Sequence, residues 1–424
     1  MVWTPPRRVV FRFGFLFAAL LLFPFPLQVI PEADWLVDLV RKPFDGLVIW
    51  CATDVLGLDE PSLRPTGSGD TTASYVQHLV FFVLAVAGTA VWSVLDRRRT
   101  AYPRLAAGAR VVLRYYLAFM LLDYGIGKLA QFPPPFPQRL DQRVGDMSPM
   151  GMLWTFMGSS KPYALFTGCA EVLGGALLLW RRTHVAGALV VIAVMSNVVM
   201  LNFCYDVPVK LFSTQLLVIA LVLVAPHARR LIAAVLGRAT PEVPPRPRRS
   251  PRLERARLAA KLLFLAMLAI AFSLEVKQSL GFVPPEHELH GIWVVDRFVL
   301  DGSERPPLLT DAERWHKVYF WQLGAGIRPM DGPIVRLAAK VDPAQHTVGV
   351  QVREMRPRPG GPRPAPPGQD EVWQYALSTV GDPATLVLDG TLRGKKIHAE
   401  LHREPDALLV TRGFRWINEV PFNR

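Results

Sequence analysis

Six residues inside an apolar stretch carry the most unusual chemistry of this sequence, Asp123-Tyr-Gly-Ile-Gly-Lys128. They lie near the end of a predominantly apolar run at 109–130, where a bilayer would be the solvent. A carboxylate and an ammonium at mid-membrane each cost roughly 2.5–3.5 kcal/mol on insertion scales. Ionisable groups in such a place are candidates for ligand binding or proton transfer, and Asp123 and Lys128 are the first two.

Polar residues on other predicted spans fall at similar depths, counted at about 1.5 Å per residue along each helix. One layer near mid-membrane would contain Asp123, Glu171 and Asn197. A second layer near the outer surface would contain Lys128, Asn202, Asp206, Lys210 and Asp70. The alternative interpretation is that these groups only pair with one another and hold a helix bundle together.

The functional interpretation assigns two roles to these residues. We predict that one set binds or relays protons, namely Lys128, Asp123, Glu171 and Asp206. A second set would line the ligand site and its outer mouth, namely Asp70, Thr71, His78, Tyr124, Asn197, Asn202 and Lys210. Gly168, Glu171 and Gly175 recur at helical spacing, so the small residues should let a neighbouring helix approach the acid closely.

The segment Gly67-Ser-Gly-Asp70-Thr71-Thr72 precedes a predicted span. Asp70 or Thr71 is expected to cap that helix. The alternative is a nest of backbone N–H groups that faces an anionic ligand. His78, one turn into the same span, is expected to be a satisfied core histidine unless it belongs to the site.

Composition points to a membrane protein with a soluble part, since 51% of the 424 residues are hydrophobic. The net charge is +13, and the arginine clusters flank alternate ends of the spans. That distribution follows the positive-inside rule and argues against nucleic-acid binding. We predict seven spans with a cytoplasmic N-terminus, at residues 9–30, 75–95, 109–130, 162–180, 184–203, 211–225 and 258–280.

This topology places everything after residue 281 outside the cytoplasm. The abundance of Arg, Pro and Ala is typical of a GC-rich bacterial genome. The expected location is therefore the bacterial inner membrane, with a periplasmic C-terminal domain. The three cysteines, Cys51, Cys169 and Cys204, are far apart and form no CxxC motif, and no metal or flavin motif is present. Cys51 and Cys204 both map to the outer side, so a disulfide between them stays open.

From residue 287 the pattern changes to the alternation typical of strands, with Asp-Gly turns between several of them. Eight strands are predicted, at 292–300, 317–321, 335–341, 346–353, 372–377, 385–388, 396–401 and 407–411. Sequential short strands favour an antiparallel meander that closes as a small barrel. Its aromatic residues would form a packed core or line a cavity for an apolar ligand.

The predicted fold is thus an all-α membrane bundle of about seven transmembrane helices, followed by an all-β antiparallel barrel domain. The predicted parts are a first span with an interfacial segment (1–74), a bundle core (75–240), a basic Pro-rich linker (241–257), a last span (258–281) and the barrel (282–424).

Spans three to six resemble the DoxX/DoxD-like family of integral membrane proteins. The resemblance depends on Gly127-Lys128 after an apolar helix, the loop that follows, Glu171-Val-Leu-Gly-Gly175, and an Arg-Arg hairpin. Members of that family are small four-helix proteins, some tied to thiosulfate or quinone oxidation and to thiol-redox complexes. Gly291-Ile-Trp293 resembles the opening of lipocalin-like barrels. The aromatic-then-lysine helix also resembles the membrane domain of vitamin-K-dependent carboxylase-like proteins.

The resemblance implies a redox-associated membrane protein that binds a quinone or similar lipophile in an outward-facing polar pocket. It would act as a component of a membrane oxidoreductase, with a periplasmic redox protein as partner. The alternative is a non-enzymatic module that binds or moves a lipid or scaffolds a periplasmic assembly. The third hypothesis is a carboxylase-like or other transferase.

Overall fold

The computed structural model describes residues 2–30, 32–64, 66–240, 251–281, 286–322, 324–352, 371–413, 415–417 and 419–420. Most of the predicted linker lies outside the described residues. The chain forms two compact units. The helical unit comprises Met1–Phe132 and Pro162–Gln278, and the barrel unit comprises Pro133–Lys161 and Ser279–Arg424.

Most helices belong to the helical unit. They are α1 (Pro5–Leu22), α2 (Asp34–Trp50), α3 (Thr72–Leu95), α4 (Pro103–Gln131), α7 (Lys161–Leu178), α8 (His184–Cys204), α9 (Lys210–Val224), α10 (Ala228–Val235) and α11 (Pro251–Gly281). Three short helices belong to the barrel unit, α5 (Pro137–Leu140), α6 (Pro149–Gly158) and α12 (Leu408–Thr411).

Within the described residues, five helical segments are long and apolar enough to cross a membrane, not the seven that the sequence predicted. They are Pro5–Val29, Thr72–Leu95, Pro103–Lys128, His184–Cys204 and Lys210–Val235. The other two predicted spans contain helices α7 and α11. Lys161, Glu171 and several small residues lower the mean hydropathy of helix α7. Helix α11 carries charged residues at both ends of a shorter apolar stretch.

The centre of the helical unit is an aliphatic core between α4, α7, α8 and α9. Leu117 and Leu121 of α4 are fully buried there with Leu178, Val191 and Ala220. Burying such side chains stabilises a fold by roughly 1.5–3 kcal/mol each, so this core fixes the helices that carry the polar residues.

The barrel is an antiparallel meander in which β1 pairs with β3 and each strand from β3 to β9 pairs with the next. Its strands are β1 (Gly291–Leu300), β2 (Ser303–Glu304), β3 (Trp315–Trp321), β4 (Gly324–Pro329), β5 (Val335–Asp342), β6 (Thr347–Val352), β7 (Glu371–Ser378), β8 (Thr385–Leu392) and β9 (Lys395–Arg403). β1 also pairs with β9, which closes eight strands into a barrel, while β2 is a short hairpin extension of β1. The predicted antiparallel barrel is confirmed.

Three strand assignments differ from the prediction, and one of them is the two-residue strand β2, which was not predicted. Residues 407–411 contain a short helix, α12, because a brief apolar run without clear periodicity fits either state. Strand β4 was missed because Gly324 and Gly326 are atypical of strands. Gly324 is required there, since a Cβ would lie 2.9 Å from the carbonyl oxygen of Leu337 on the next strand.

Aromatic side chains fill the inside of the barrel. Trp293, Phe298, Trp315 and Trp373 are almost completely buried and pack with aliphatic residues from every long strand. The indole N–H groups of Trp293 and Trp373 each donate to a backbone carbonyl at 2.8 Å. The interior is a packed core, as the first of the two interpretations expected.

Residues 133–161 belong to the barrel unit and pack on the outer face of β3 and β4. The Asp141 carboxylate accepts hydrogen bonds from Lys317 Nζ (2.9 Å), the Tyr319 hydroxyl (2.6 Å) and Arg328 Nη1 (2.8 Å). Burial alone would raise the pKa of this carboxyl, but the hydrogen bonds from Tyr319 and Lys317 and the two positive charges hold it below its ordinary value. We call this network the Asp141 clamp.

Candidate functional site

The site begins with a close approach of α4 and α7. A Cβ added at Gly168 would lie 2.7 Å from the carbonyl oxygen of Gly125, and one added at Gly175 would lie 3.0 Å from that of Ala118. Any larger residue at these positions would push the helices apart. The small residues beside Glu171 therefore allow the approach that the sequence predicted.

Lys128 and Glu171 meet across this seam. Lys128 Nζ donates to Glu171 Oε1 at 2.7 Å, and the two side chains are 12% and 3% exposed. The pair is stable there only because each charge compensates the other, since an isolated charge would be expensive to bury. The second carboxylate oxygen, Glu171 Oε2, is buried and accepts no hydrogen bond from any described group.

A second polar cluster lies at the start of α9. The Asp70 carboxylate accepts hydrogen bonds from the backbone N–H groups of Lys210 (2.8 Å) and Leu211 (3.1 Å). It thereby satisfies free donors at a helix N-terminus, where negative charge is favoured. Lys210 Nζ lies 2.8 Å from Asp206 Oδ1 and 3.7 Å from Asp70 Oδ2. Asp70 therefore binds the N-terminus of α9, and Thr71 is the residue that caps α3.

Tyr124 joins α4 to α9 by an aromatic contact. Its ring stacks on Phe212 with centroids 5.6 Å apart, and Phe212 follows the capped residues of α9. Lys128 lies one turn beyond Tyr124 on the same face of α4. The stack therefore packs α4 against α9 between Lys128, on α4, and the polar cluster at the start of α9.

The other predicted ligand-site residues have local partners. Thr71 caps α3 by accepting from the Ser74 N–H, and His78 Nδ1 lies 2.7 Å from the Ser74 carbonyl oxygen. The amide of Asn202 is buried and donates to Ser213 Oγ at 3.0 Å, which joins α8 to α9. These three residues support the helices around the site.

Three predicted site residues form no described hydrogen bond or ion pair with the Lys128–Glu171 pair. Asn197 is exposed on α8, while Glu171 is buried, because the rotation of α8 turns Asn197 away from the core. Asp206 is 82% exposed at a turn and pairs with Lys210 at 2.8 Å. Asp123 lies about 140° around α4 from Lys128, and its carboxylate bonds to no described side chain.

The predicted two-layer arrangement is wrong. It placed Lys128 and Glu171 in different layers, whereas the two side chains form an ion pair. The depth of each residue was estimated from its backbone position alone. The long side chain of Lys128 reaches Glu171 on α7 across the difference in depth between the two backbones. The described cysteines are all free thiols, so Cys51 and Cys204 do not pair. Within the described part of the chain, no three His, Cys, Asp or Glu side chains converge to hold a metal ion.

Sequence reasoning missed two polar groups. Asp141 and its partners come from a loop and two strands, and no local pattern joins them. Arg114 is a buried arginine within the apolar stretch of α4, a signal that could have been found by the same rule that selected Lys128.

The geometry favours binding of a polar headgroup attached to an apolar molecule. Lys128 offers further N–H donors, since an ammonium has three and Glu171 takes one. Glu171 Oε2 offers an acceptor in a desolvated place, where hydrogen bonds are stronger than in water. A ligand would complement the pair if it had a carbonyl group to accept from Lys128 and a hydroxyl group to donate to Glu171.

Comparison with known proteins gives one relative of unknown activity. The chain is 35% identical over 121 residues to the uncharacterised protein YwoB of Bacillus subtilis strain 168, which is 28% of this chain and 77% of that protein. No family model matches the chain. No solved structure matches it.

Proposed function

This chain belongs to the same family as YwoB of Bacillus subtilis, and we propose that it is a membrane protein that binds a quinone or a similar lipophile at the Lys128–Glu171 pair. The observation that carries the proposal is the buried Glu171 Oε2 atom, which accepts no hydrogen bond from any described group. A buried acceptor left without a donor costs about 1–3 kcal/mol, and a bound hydroxyl group would remove that cost.

A quinone headgroup fits both partners. The carbonyl of a quinone accepts from the Lys128 ammonium, and the hydroxyl of a quinol donates to Glu171 Oε2. Lysine suits such a role because, unlike arginine, it can release a proton when buried. The aromatic stack of Tyr124 and Phe212 supplies an apolar surface beside the charged pair.

The DoxX-like resemblance supports the same site. Its two motifs, Gly127-Lys128 and Glu171-Val-Leu-Gly-Gly175, lie on the two helices that meet at the seam. In this proposal the chain is a redox-associated component whose electron acceptor is a partner protein. It lies in a bacterial inner membrane, with the N-terminus in the cytoplasm and a lipocalin-like barrel in the periplasm.

Mass spectrometry of lipophiles that copurify with the full-length protein tests the proposal. The wild type should carry quinone, and Lys128→Ala should lose it because the substitution removes the donor. Lys161→Ala is the matched control, since this lysine is exposed at the start of α7. Quinone retained by Lys128→Ala at the wild-type level would refute the assignment.

A non-enzymatic lipid-binding or scaffold module is the second candidate. The Asp141 clamp favours it, because the outer face of the barrel already holds a segment of polypeptide. Its packed interior argues against a lipid inside the barrel. Copurified phospholipid that survives Lys128→Ala but is lost on deletion of residues 287–424 would support this candidate over the first.

A further inference from the structure

Basic side chains from α4, α8, α10, α11 and the turn before α10 converge at the end of the helical unit where α7 ends and α8 begins. His184 and His227 are in edge-to-face contact, with ring centroids 5.5 Å apart. Lys261 Nζ lies 4.9 Å from the centre of the Trp180 ring. We call this group the basic cluster, and its members are Arg110, Arg114, His184, His227, Arg230 and Lys261.

The basic cluster has no acidic partner among the described residues. No described carboxylate forms an ion pair with any of its six members. The charged groups that act on His227 are His184, Arg110 and Arg230, and the one that acts on Lys261 is Arg114. The described charges that act on these two groups are therefore positive, and an anion bound among them would be stabilised.

Arg114 is the clearest case of a positive charge in the cluster that has no described carboxylate partner. Its side chain is 8% exposed, and its Nε atom is buried with no hydrogen-bond partner among described groups. Its guanidinium lies 4.9 Å from the Tyr115 ring, a contact that offsets only part of the desolvation. Arg230 Nε is likewise buried without a partner. A buried guanidinium that has no carboxylate partner among the described residues favours a negatively charged group beside it.

Membrane topology does not account for this burial. The positive-inside rule requires charge near the ends of spans, and exposed residues such as Arg104, Arg182 and Arg229 satisfy it. Arg114 lies 11 residues inside α4 and is covered by protein. Its position costs free energy that a topology signal does not need.

The donors of the cluster match phosphate. A guanidinium presents a planar fork that binds phosphate oxygens in a bidentate way, and an ammonium adds a point charge. Trp180 is exposed beside Lys261, as aromatic residues are at the headgroup level of a bilayer. Basic pockets between apolar helices are suited to lipid headgroups.

We infer that the basic cluster is a binding site for a phosphate-bearing anion, with Arg114 as its buried anchor. The site is separate from the Lys128–Glu171 pair, because 14 residues of α4 place Arg114 about 21 Å from Lys128. The inference of a phosphate site therefore does not depend on whether quinone binds at the Lys128–Glu171 pair.

The test uses delipidated full-length protein in neutral detergent and follows its Tm. The probes are short-chain phosphatidylglycerol, short-chain phosphatidylcholine and inorganic phosphate. Phosphatidylglycerol should raise the Tm in a saturable way, and phosphatidylcholine should have a much smaller effect. Arg114→Gln should weaken the apparent affinity about tenfold or more, as should Lys261→Gln. Arg104→Gln, on the exposed side of the same helix, should respond like the wild type.

The two sources of phosphate give different results. Protection by phosphatidylglycerol alone identifies a lipid headgroup, and equal protection by inorganic phosphate identifies a soluble phosphate compound. Both support the site provided that the Arg114→Gln response is lost. If Arg114→Gln does not fold, the half-buried Lys261→Gln carries the test. The inference is overturned if no probe stabilises the wild type, or if the variants respond as the wild type does.

Discussion

At the scale of single residues, the Lys128–Glu171 pair is a buried charge pair whose halves depend on each other. Glu171 is 3% exposed and Lys128 Nζ is its described partner. Removing one member of such a pair leaves an uncompensated charge, whereas replacing both with apolar residues removes the desolvation cost as well. Binding and stability at this site should therefore respond differently to substitution.

Substitution of Glu171 alone should destabilise the protein. Glu171→Ala leaves the Lys128 ammonium buried without a counter-charge, which costs about 3–5 kcal/mol. The double variant Lys128→Met, Glu171→Leu should recover most of that loss and still fail to bind quinone. Equilibrium unfolding in detergent measures the difference.

The exposed pair of Lys210 and Asp206 is the control. Asp206→Asn should change the free energy of unfolding by about 1 kcal/mol or less, since Asp206 is 82% exposed. An equally small effect of Glu171→Ala would mean that the Lys128–Glu171 pair is hydrated, contrary to its burial.

The sequence could identify the members of the site but not how they pair. Small residues beside Glu171 predicted a close helix contact, and Gly125 and Gly168 make it. Asn197 was misplaced because composition does not fix the rotation of a helix about its axis. The role of Asp70 at the α9 N-terminus joins positions 140 residues apart, which no local pattern shows.

At the scale of elements, charged hydrogen bonds of Asp141 hold the segment with α5 and α6 on the barrel. Lys317 and Arg328 come from paired positions on β3 and β4, and Lys317 also contacts Glu404 at 2.6 Å. Phe136 adds one aromatic contact with Trp321, at 5.6 Å between centroids. Loss of the Asp141 charge should leave the two cations repelling each other.

Asp141→Asn should release this segment while the barrel stays folded. Loss of hydrogen bonds to charged groups costs on the order of 2 kcal/mol, so the detached state should become roughly thirtyfold more populated. Hydrogen exchange of residues 137–158 measures it. Asp146→Asn, exposed in the same segment, should leave the exchange unchanged. Unchanged exchange in Asp141→Asn would show that the clamp does not hold the segment.

The same clamp gives a pH dependence with a definite sign. The pKa of Asp141 is lower in the folded protein than its ordinary value of 3.8. The stabilisation is therefore fully present above pH 3.8 and is lost as the pH falls through the lower, folded-state pKa. The protection factor of the segment, which corrects for the intrinsic pH dependence of amide exchange, should stay high at pH 4.5 and fall only in stronger acid.

At the scale of the whole molecule, the chain enters the barrel unit twice. The first entry, residues 133–161, directly follows α4 and directly precedes α7, the two helices that carry Lys128 and Glu171. The barrel itself is closed between β1 and β9 and filled by aromatic side chains. The proposed ligand site therefore lies in the helices and not in the barrel.

Alternation of apolar and polar residues was sufficient to predict the barrel, because each strand has one buried face. It was not sufficient for β4, whose glycines fit a close strand contact and carry no periodic signal. Apolar runs predicted the membrane-capable helices. The count was too high because α7 combines small and charged residues that serve contact with α4.

Titration of delipidated full-length protein with decylubiquinone tests the central claim most directly. The wild type should bind the quinone saturably, with Lys161→Ala equal to it and Lys128→Ala at least about tenfold weaker. Equal affinity of Lys128→Ala and wild type, or the absence of saturable binding to the wild type, would contradict the assignment of the Lys128–Glu171 pair as the quinone site.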